Sequence, residues 1–321
     1  MTAESVAALG LPAVGVGGAP LGNLFRPVSA TAAGLLLDRA WEAGLRFFDT
    51  APHYGLGLGE RRLGAALVGR DRSAAIVSTK VGRLLDPSPS TAGRQDDEGF
   101  AVPAAWRRRR DYSRDGILRS VEASLVRTGL DRFDVLFLHD PDEHWDAAST
   151  TGVATLAELR DEGVVQAIGV GMNQAEMLTR FVRETDVDLV MVAGRYTLAD
   201  QRAERELLPA AQERGVGVIA VGLYNSGLLA RDEVPDDTTY DYATAPADVV
   251  ARARAIAAVC ARHGVPLPAA ALAFPRRHPA VTSVVVGMQT ATELDETLER
   301  LDTPVPEDLW RELAAEGLIG D

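Results

Sequence analysis

The sequence predicts an α/β fold, a closed (β/α)8 TIM barrel with long loops after strands three and seven. Three observations lead there. Eight short apolar, β-branched runs recur along the 321 residues, helix-like stretches with apolar residues three and four apart separate them, and the strand starts keep a regular spacing with two exceptions. Strand alternating with helix means a parallel sheet whose crossovers cover both faces, and eight such units suggest closure. An open doubly wound sheet is the alternative. Residues 1–321 read as one barrel domain, since such barrels commonly run to about 250 residues and beyond.

In order, "AVGVGG" (from 13) is the first strand and "TAAGLLLDRAWEAG" (31 to 44) the first helix, closing on glycine as helix C-termini often do. "RFFDTA" (46) and "ERRLGAAL" (60 to 67) form the second unit, and "AAIVSTK" (74) with the later helix "RDGILRSVEASLVRTG" (114 to 129) the third. "DVLFLHD" (134) precedes "GVATLAELRDEG" (152 to 163), "QAIGVGM" (166) precedes "QAEMLTRFVRE" (174 to 184), and "LVMVAG" (189) precedes "RAERELLPAAQERG" (202 to 215). "GVIAVGL" (217) and "TSVVVGM" (282) complete the eight. Successive starts lie 23 to 33 residues apart, except from 74 to 134 and from 217 to 282, gaps of 60 and 65. Connections of that length in a compact domain are usually functional. Loops leaving strand ends build the working face of a barrel, so 81–113 and 224–246 are expected as walls of a substrate pocket.

Composition narrows the function. A net charge of −13 argues against a nucleic-acid partner, because phosphate binding needs a basic face. The dense basic run "WRRRRDYS" (106 to 113) is expected to be a solvated loop. An apolar fraction of 46% and a charged fraction of 25% are ordinary globular values. No apolar run reaches the roughly 18 residues of a membrane span, and "MTAESVAALGLPAV" lacks the basic segment and apolar core of a secretory signal. The single cysteine, Cys260, forms no internal disulfide and is read as a buried, inert thiol in a helix, so a cytoplasmic address is expected. The expected partner is a small-molecule substrate; nothing in the sequence points to an oligomeric state.

Of the 33 basic residues all but Lys80 are arginine. Arginine presents a wide fork and keeps its proton, whereas lysine is a compact ammonium whose pKa moves readily when buried. A lone lysine ending a buried strand is therefore a candidate for chemistry. The second strand ends in Asp49 with Tyr54 five residues on, the third in Lys80 and the fourth in His139, so four side chains from adjacent strands converge at one rim. An ammonium beside a phenol is expected to lower its pKa, a carboxylate to hold the ammonium, and an imidazole to orient a substrate oxygen.

On these residues the chain resembles the aldo-keto reductase superfamily. "GLRFFDTAPHYGLGLGERRLGAAL" (44 to 67), "STKVG" (78 to 82) and "GLDRFDVLFLHDPD" (129 to 142) look like its signature blocks, and "GVGMNQ", "AGRYTLADQ", "NSGLLA" and "VVVGMQTATELDETLERL" like its cofactor-side segments. The resemblance extends to the sugar dehydrogenases that act on L-fucose and D-threo-aldoses at C1, with pyridoxal 4-dehydrogenases close by. It implies a barrel, an NAD or NADP cofactor, and Asp49, Tyr54, Lys80 and His139 as a catalytic tetrad with Tyr54 as acid and base. It also implies cofactor contacts from Asn173, Val221, Gly222, Asn225, Gly227, Leu228, Gly287, Gln289 and Glu293. This chain departs from many relatives in carrying Gly171 and Met172 in place of Ser-Asn, Ala193 in place of a glutamine and Val221 in place of a stacking aromatic. Where NADP-preferring relatives carry an arginine it has Gln289, with Glu293 and Glu296 nearby, which favours NAD.

The expected reaction is oxidation of a cyclic aldose at C1 to its lactone. Tyr54, His139, Trp145, Tyr112 and Tyr224 are the expected substrate contacts, joined by Arg107 to Arg110, Asp111, Asn225, Tyr240 and Tyr242 from the long loops. Oxidation of pyridoxal or general aldehyde and ketone reduction is the alternative chemistry. A non-catalytic nicotinamide-binding sensor is a further reading, against which the intact tetrad stands. Two rivals are weaker. The glycines of "YGLGLGERRLG" imitate a dinucleotide-binding loop, but the following strand ends in Lys80 and not in an acid. "HDPDEH" (139 to 144) offers His139, Asp140, Asp142 and His144 to a metal, but no second histidine cluster ends another strand, so no metal is expected. His53, His263 and His278 are read as ordinary loop and helix residues.

Overall fold

The computed structural model describes residues 9–320. Residues 1–8, the larger part of the amino-terminal stretch "MTAESVAALGLPAV", and residue 321 lie outside the described residues. Eight strands, β1 (Val14–Gly17), β2 (Phe47–Asp49), β3 (Ile76–Val81), β4 (Val135–His139), β5 (Ala167–Met172), β6 (Leu189–Ala193), β7 (Gly217–Val221) and β8 (Val281–Gly287), close a parallel barrel in chain order. The ring shuts where β8 returns to β1, with Val14 opposite Val284 and Gly17 opposite Gly287. Closure excludes the open sheet.

Alternation along each strand divides the core into two layers. Phe47, Phe137, Leu189, Met191, Ile219 and Val285 fill the barrel interior, while Phe48, Leu136, Leu138, Val190 and Val218 pack outward. The outer layer is covered by α1 (Ala30–Glu42), α2 (Leu58–Leu67), α3 (Arg114–Thr128), α4 (Val153–Asp161), α5 (Ala175–Glu184), α6 (Leu207–Arg214), α7 (Ala247–Arg262), α8 (Leu267–Ala273), α9 (Ala291–Leu301) and α10 (Glu307–Ala315). The Ser29 and Ser113 side chains cap α1 and α3 by accepting from the N–H groups of Ala32 and Gly116. α6 starts later than the sequence pattern suggests. Proline has no N–H to give the carbonyl four residues back, so the helix begins where Pro209 falls in its first turn, and 202–204 form a separate 3-10 turn.

Two aspartates tie the lower end of the barrel. Asp134, just before β4, accepts the Val77 N–H of β3 and the Arg72 guanidinium, each at 2.7 Å, on one oxygen, while Gln166 donates to the other. Asp188, just before β6, accepts from Ile168 N–H of β5 and from Arg160. Each carboxylate thus closes an edge where a neighbouring strand begins.

The long connections are not bare loops. The first carries an antiparallel hairpin, Arg83–Pro87 paired with Trp106–Arg110, so the arginine run is a strand and not a solvated loop. Two of its side chains are paired: Arg109 donates to Asp86 and Asp111, and Arg108 donates to Asp96. The second connection carries a small hairpin, Thr239–Tyr240 with Ala243–Thr244. Among the described residues no single helix is long and apolar enough to cross a membrane.

Candidate active site

β3 places Ser78 and Lys80 on the face turned to β2 and the barrel axis, with Val77 and Val81 in the outer layer. Both inward residues reach Asp49 at the end of β2. Ser78 Oγ donates to Asp49 Oδ1 at 2.7 Å, and Lys80 Nζ donates to Oδ2 at 2.5 Å. Lys80 also donates to the Thr50 carbonyl at 3.2 Å and to Tyr54 Oη at 2.9 Å. Three acceptors surround one ammonium in a pocket where Lys80 is 2% exposed. A planar guanidinium cannot occupy that volume without displacing the phenol.

Tyr54 stands on a turn that backs directly onto the loop after β1. Gly55, at φ 61°, and Gly22 approach so closely that a Cβ on Gly55 would lie 2.2 Å from the Gly22 carbonyl oxygen. The contact needs glycine on both sides and fixes the depth at which the phenol enters. His139, at the end of β4, meets Tyr54 edge-on with ring centroids 5.9 Å apart. Asp49, Tyr54, Lys80 and His139 therefore converge as their strand-end positions imply.

The electrostatics differ from expectation at Tyr54. Burial holds its pKa well above the ordinary phenol value, and Asp49, Tyr242 and Asp140 push the same way against Arg83. Burial of the phenol and the Asp49 carboxylate against the ammonium outweigh the expected depression by Lys80. Since Oη accepts from Lys80, the phenol proton is free to point into the cavity. His139 is held well below the ordinary imidazole value, first by burial and then by Arg83, Lys80 and His53, so it faces the cavity as a neutral imidazole. His53 is lowered in the same way, by burial, Arg83 and Arg108.

These groups open into a cavity of about 1140 Å³ at the upper end of the barrel. Its walls come from the two long connections and from the loop after β1. Of the expected cofactor contacts, Asn173, Val221, Gly222, Asn225, Gly227, Gly287, Gln289 and Glu293 line it. Leu228 does not: it is a core residue, 1% exposed. Asn225 presents backbone, because its side chain is spent on Thr197 and the Gly194 carbonyl. Gln289 is not without a guanidinium: Arg26, from the loop after β1, donates to Gln289 Oε1 and, at 2.8 Å, to Glu293 Oε1. Glu293 Oε2 in turn accepts the Gln289 N–H at 2.7 Å.

The expected substrate contacts divide. Tyr54, His139 and Tyr242 line the cavity. Tyr224 lines it too, but its hydroxyl faces Arg300 and Thr297 of α9. Trp145 stands outside, packed on Phe181 at 4.7 Å with the Arg180 guanidinium 3.7 Å over its ring. Tyr112 is also outside the lining; it is buried behind β4 and its hydroxyl donates to the His139 and Asp140 carbonyls at 2.7 and 3.1 Å. It braces the strand end and does not face a ligand. Arg107 to Arg110, Asp111 and Tyr240 also stand outside the lining, and Tyr240 donates to Asp200.

The cavity wall adds residues that the strand-end pattern missed. Arg83, three residues past Lys80, donates to Asp140 Oδ2 at 2.6 Å and approaches His53 and Glu98. Phe25 and Tyr242 meet across the mouth with ring centroids 6.1 Å apart. Of the four residues of the rival metal reading, His139 and Asp140 are neighbours, but His144 packs against Tyr112 and Asp142 accepts from Gln174, and no group of three His, Cys, Asp or Glu side chains suited to a metal occurs among the described residues.

Comparison with known proteins gives the family and the fold. The aldo/keto reductase family model matches residues 13–316. A D-threo-aldose 1-dehydrogenase of a Pseudomonas species is 48% identical over 320 residues, covering 99% of this chain and 97% of its own. A pyridoxal 4-dehydrogenase of Microbacterium luteolum is 37% identical, covering 97% and 95%. Among solved structures, the holo form of an aldo-keto reductase from Bacillus halodurans superposes with a TM-score of 0.73 at 25% identity, covering 95% of this chain and 91% of its own. A glycerol dehydrogenase from Gluconobacter oxydans shares the fold, with a TM-score of 0.75 at 19% identity, covering 97% and 94%.

Proposed function

Because the chain belongs to the aldo/keto reductase family and is an NAD(P)-dependent oxidoreductase, we propose that it oxidises a cyclic aldose of the L-fucose or D-threo type at C1 to the lactone. The observation that carries this reading is the near full-length identity to a D-threo-aldose 1-dehydrogenase, together with the assembled Asp49–Lys80–Tyr54 chain beside His139.

The nicotinamide, when bound, supplies the hydride acceptor. The cavity suits a dinucleotide: Asn173 offers an amide, Gly222, Gly227 and Gly287 allow close approach of backbone, and Glu293 offers a carboxylate to a ribose hydroxyl. The chain's own residues handle the proton. His139, neutral, donates to the C1 oxygen and fixes it beside Tyr54. Tyr54 accepts the C1 hydroxyl proton during oxidation and returns it during reduction, while Lys80, held by Asp49, stabilises the phenolate that oxidation requires. As C1 loses its hydrogen with both electrons, the C1–O bond becomes the lactone carbonyl.

Incubation with L-fucose, L-galactose, D-arabinose or pyridoxal, followed by NADH absorbance, tests the substrate. Turnover of one or two sugar stereoisomers well above the rest is expected. Strong turnover of pyridoxal with none of the sugars would replace the aldose by the second reading, which the pyridoxal 4-dehydrogenase relative supports.

The same reading assigns NAD as at least the equal of NADP. Arg26 is the available guanidinium, but Glu293 neutralises it and the adenosine 2′-phosphate of NADP would meet that carboxylate. The ratio of kcat/KM for NADP to that for NAD is expected at or below one, rising about tenfold in Glu293→Gln as Arg26 is released. A wild-type ratio above ten would contradict the assignment.

A further inference from the structure

We propose that Asp140 selects the substrate, its carboxylate accepting the hydroxyl on the carbon next to the reacting one, so that the site takes 2-hydroxy carbonyl compounds and their cyclic forms over carbonyls lacking that group. The inference deepens the aldose reading and rests on it for the identity of the substrate.

His139 points inward from β4, so a continued strand would turn Asp140 outward. Instead the chain bends into the left-handed region at Asp140, φ 41°, and the residue lines the cavity. Aspartate tolerates that conformation better than most residues, but it remains a strained position and such positions gather at functional sites. The bend is held from both sides. Asp140 N–H donates to the Gly171 carbonyl at 2.9 Å, and Tyr112 braces the His139 and Asp140 carbonyls from behind.

The carboxylate is fixed as firmly as its backbone. Arg83 donates to Oδ2 at 2.6 Å and is itself 7% exposed, with His53 and Glu98 beside it. The same oxygen lies 3.5 Å from His139 Nε2. Oδ1 has no hydrogen-bond partner among the described residues. A substrate oxygen held by His139 thus brings its neighbouring carbon within reach of a positioned, unfilled acceptor. Burial raises the Asp140 pKa against the pull of Arg83. A hydroxyl donor fills the vacant acceptor, and a substrate without one leaves it unpaired, which is the arrangement that gives strong discrimination.

The test is reduction of glyceraldehyde and propanal by the full chain, with NADH or NADPH, in wild type, Asp140→Gly and Asp140→Asn. Glycine removes the carboxylate and suits the positive φ; asparagine keeps the shape and a weaker acceptor. The wild-type kcat/KM ratio, glyceraldehyde over propanal, is expected to fall at least tenfold in Asp140→Gly and by less in Asp140→Asn. A fall of less than tenfold in Asp140→Gly would overturn the proposal. The pair reads open-chain carbonyls, so failure to oxidise any cyclic aldose with this ratio change intact would strike the aldose reading alone. Aldose oxidation with an unchanged ratio would strike Asp140 alone.

Discussion

Lys80→Arg, Lys80→Met and Tyr54→Phe are each expected to lower kcat by about 10²-fold or more, the scale of a lost general acid or base. Lys80, 2% exposed, donates to Asp49, to the Thr50 carbonyl and to Tyr54. Methionine removes the charge that a phenolate needs. Arginine keeps the charge but drives its fork through the position of the phenol. Cofactor affinity, read by fluorescence titration, should change little, because none of these side chains reaches the Gln289–Glu293 end of the cavity. Near wild-type turnover in Lys80→Arg would mean that the site does not require a compact ammonium. The pH dependence has a definite sign. The Tyr54 pKa is raised, so its base form is scarce at neutral pH and its acid form abundant. Oxidation should therefore gain rate as pH rises toward that value, while reduction holds steady until the phenol begins to ionise.

Asp134→Ala is expected to destabilise the barrel by about 3–5 kcal/mol, the cost of breaking a buried ion pair from one side. The substitution strips the Val77 N–H of its acceptor and leaves Arg72, 14% exposed in its side chain, without its charge partner. Urea unfolding followed by circular dichroism reads the loss directly. A change below about 1 kcal/mol would mean that water reaches both groups and that the aspartate is not a fastener between β3 and β4.

Sequence carried the barrel because strands buried on both faces must be apolar and β-branched for their whole length, a pattern that depends on no distant residue. The convergence of the candidate tetrad was legible for a similar reason: Asp49, Lys80 and His139 stand at or next to strand ends, and parallel adjacency brings them together. What escaped was set by turns and by pairing across long intervals. The strand Trp106–Arg110 has no apolar alternation, since cross-strand arginine and aspartate replace it, so it resembled a solvated run. Tyr112 and Trp145 lie close in sequence to cavity residues, but the chain carries one behind His139 and the other onto α5. Arg83 and Asp140 each follow a recognised residue closely, yet only the left-handed bend at Asp140 turns its carboxylate to the guanidinium. The sign of the Tyr54 shift was lost because Lys80 is visible in the sequence and the burial of the phenol is not.

Deuterium at C1 of the best aldose separates this chemistry from every other route to reduced cofactor. With NAD in excess, the label is expected to appear in the nicotinamide of NADH, with one lactone formed for each deuteride transferred and a rate lowered by the heavier atom when chemistry limits turnover. Reduced cofactor without deuterium, or a deuterated sugar product that is not the lactone, would contradict hydride transfer from C1.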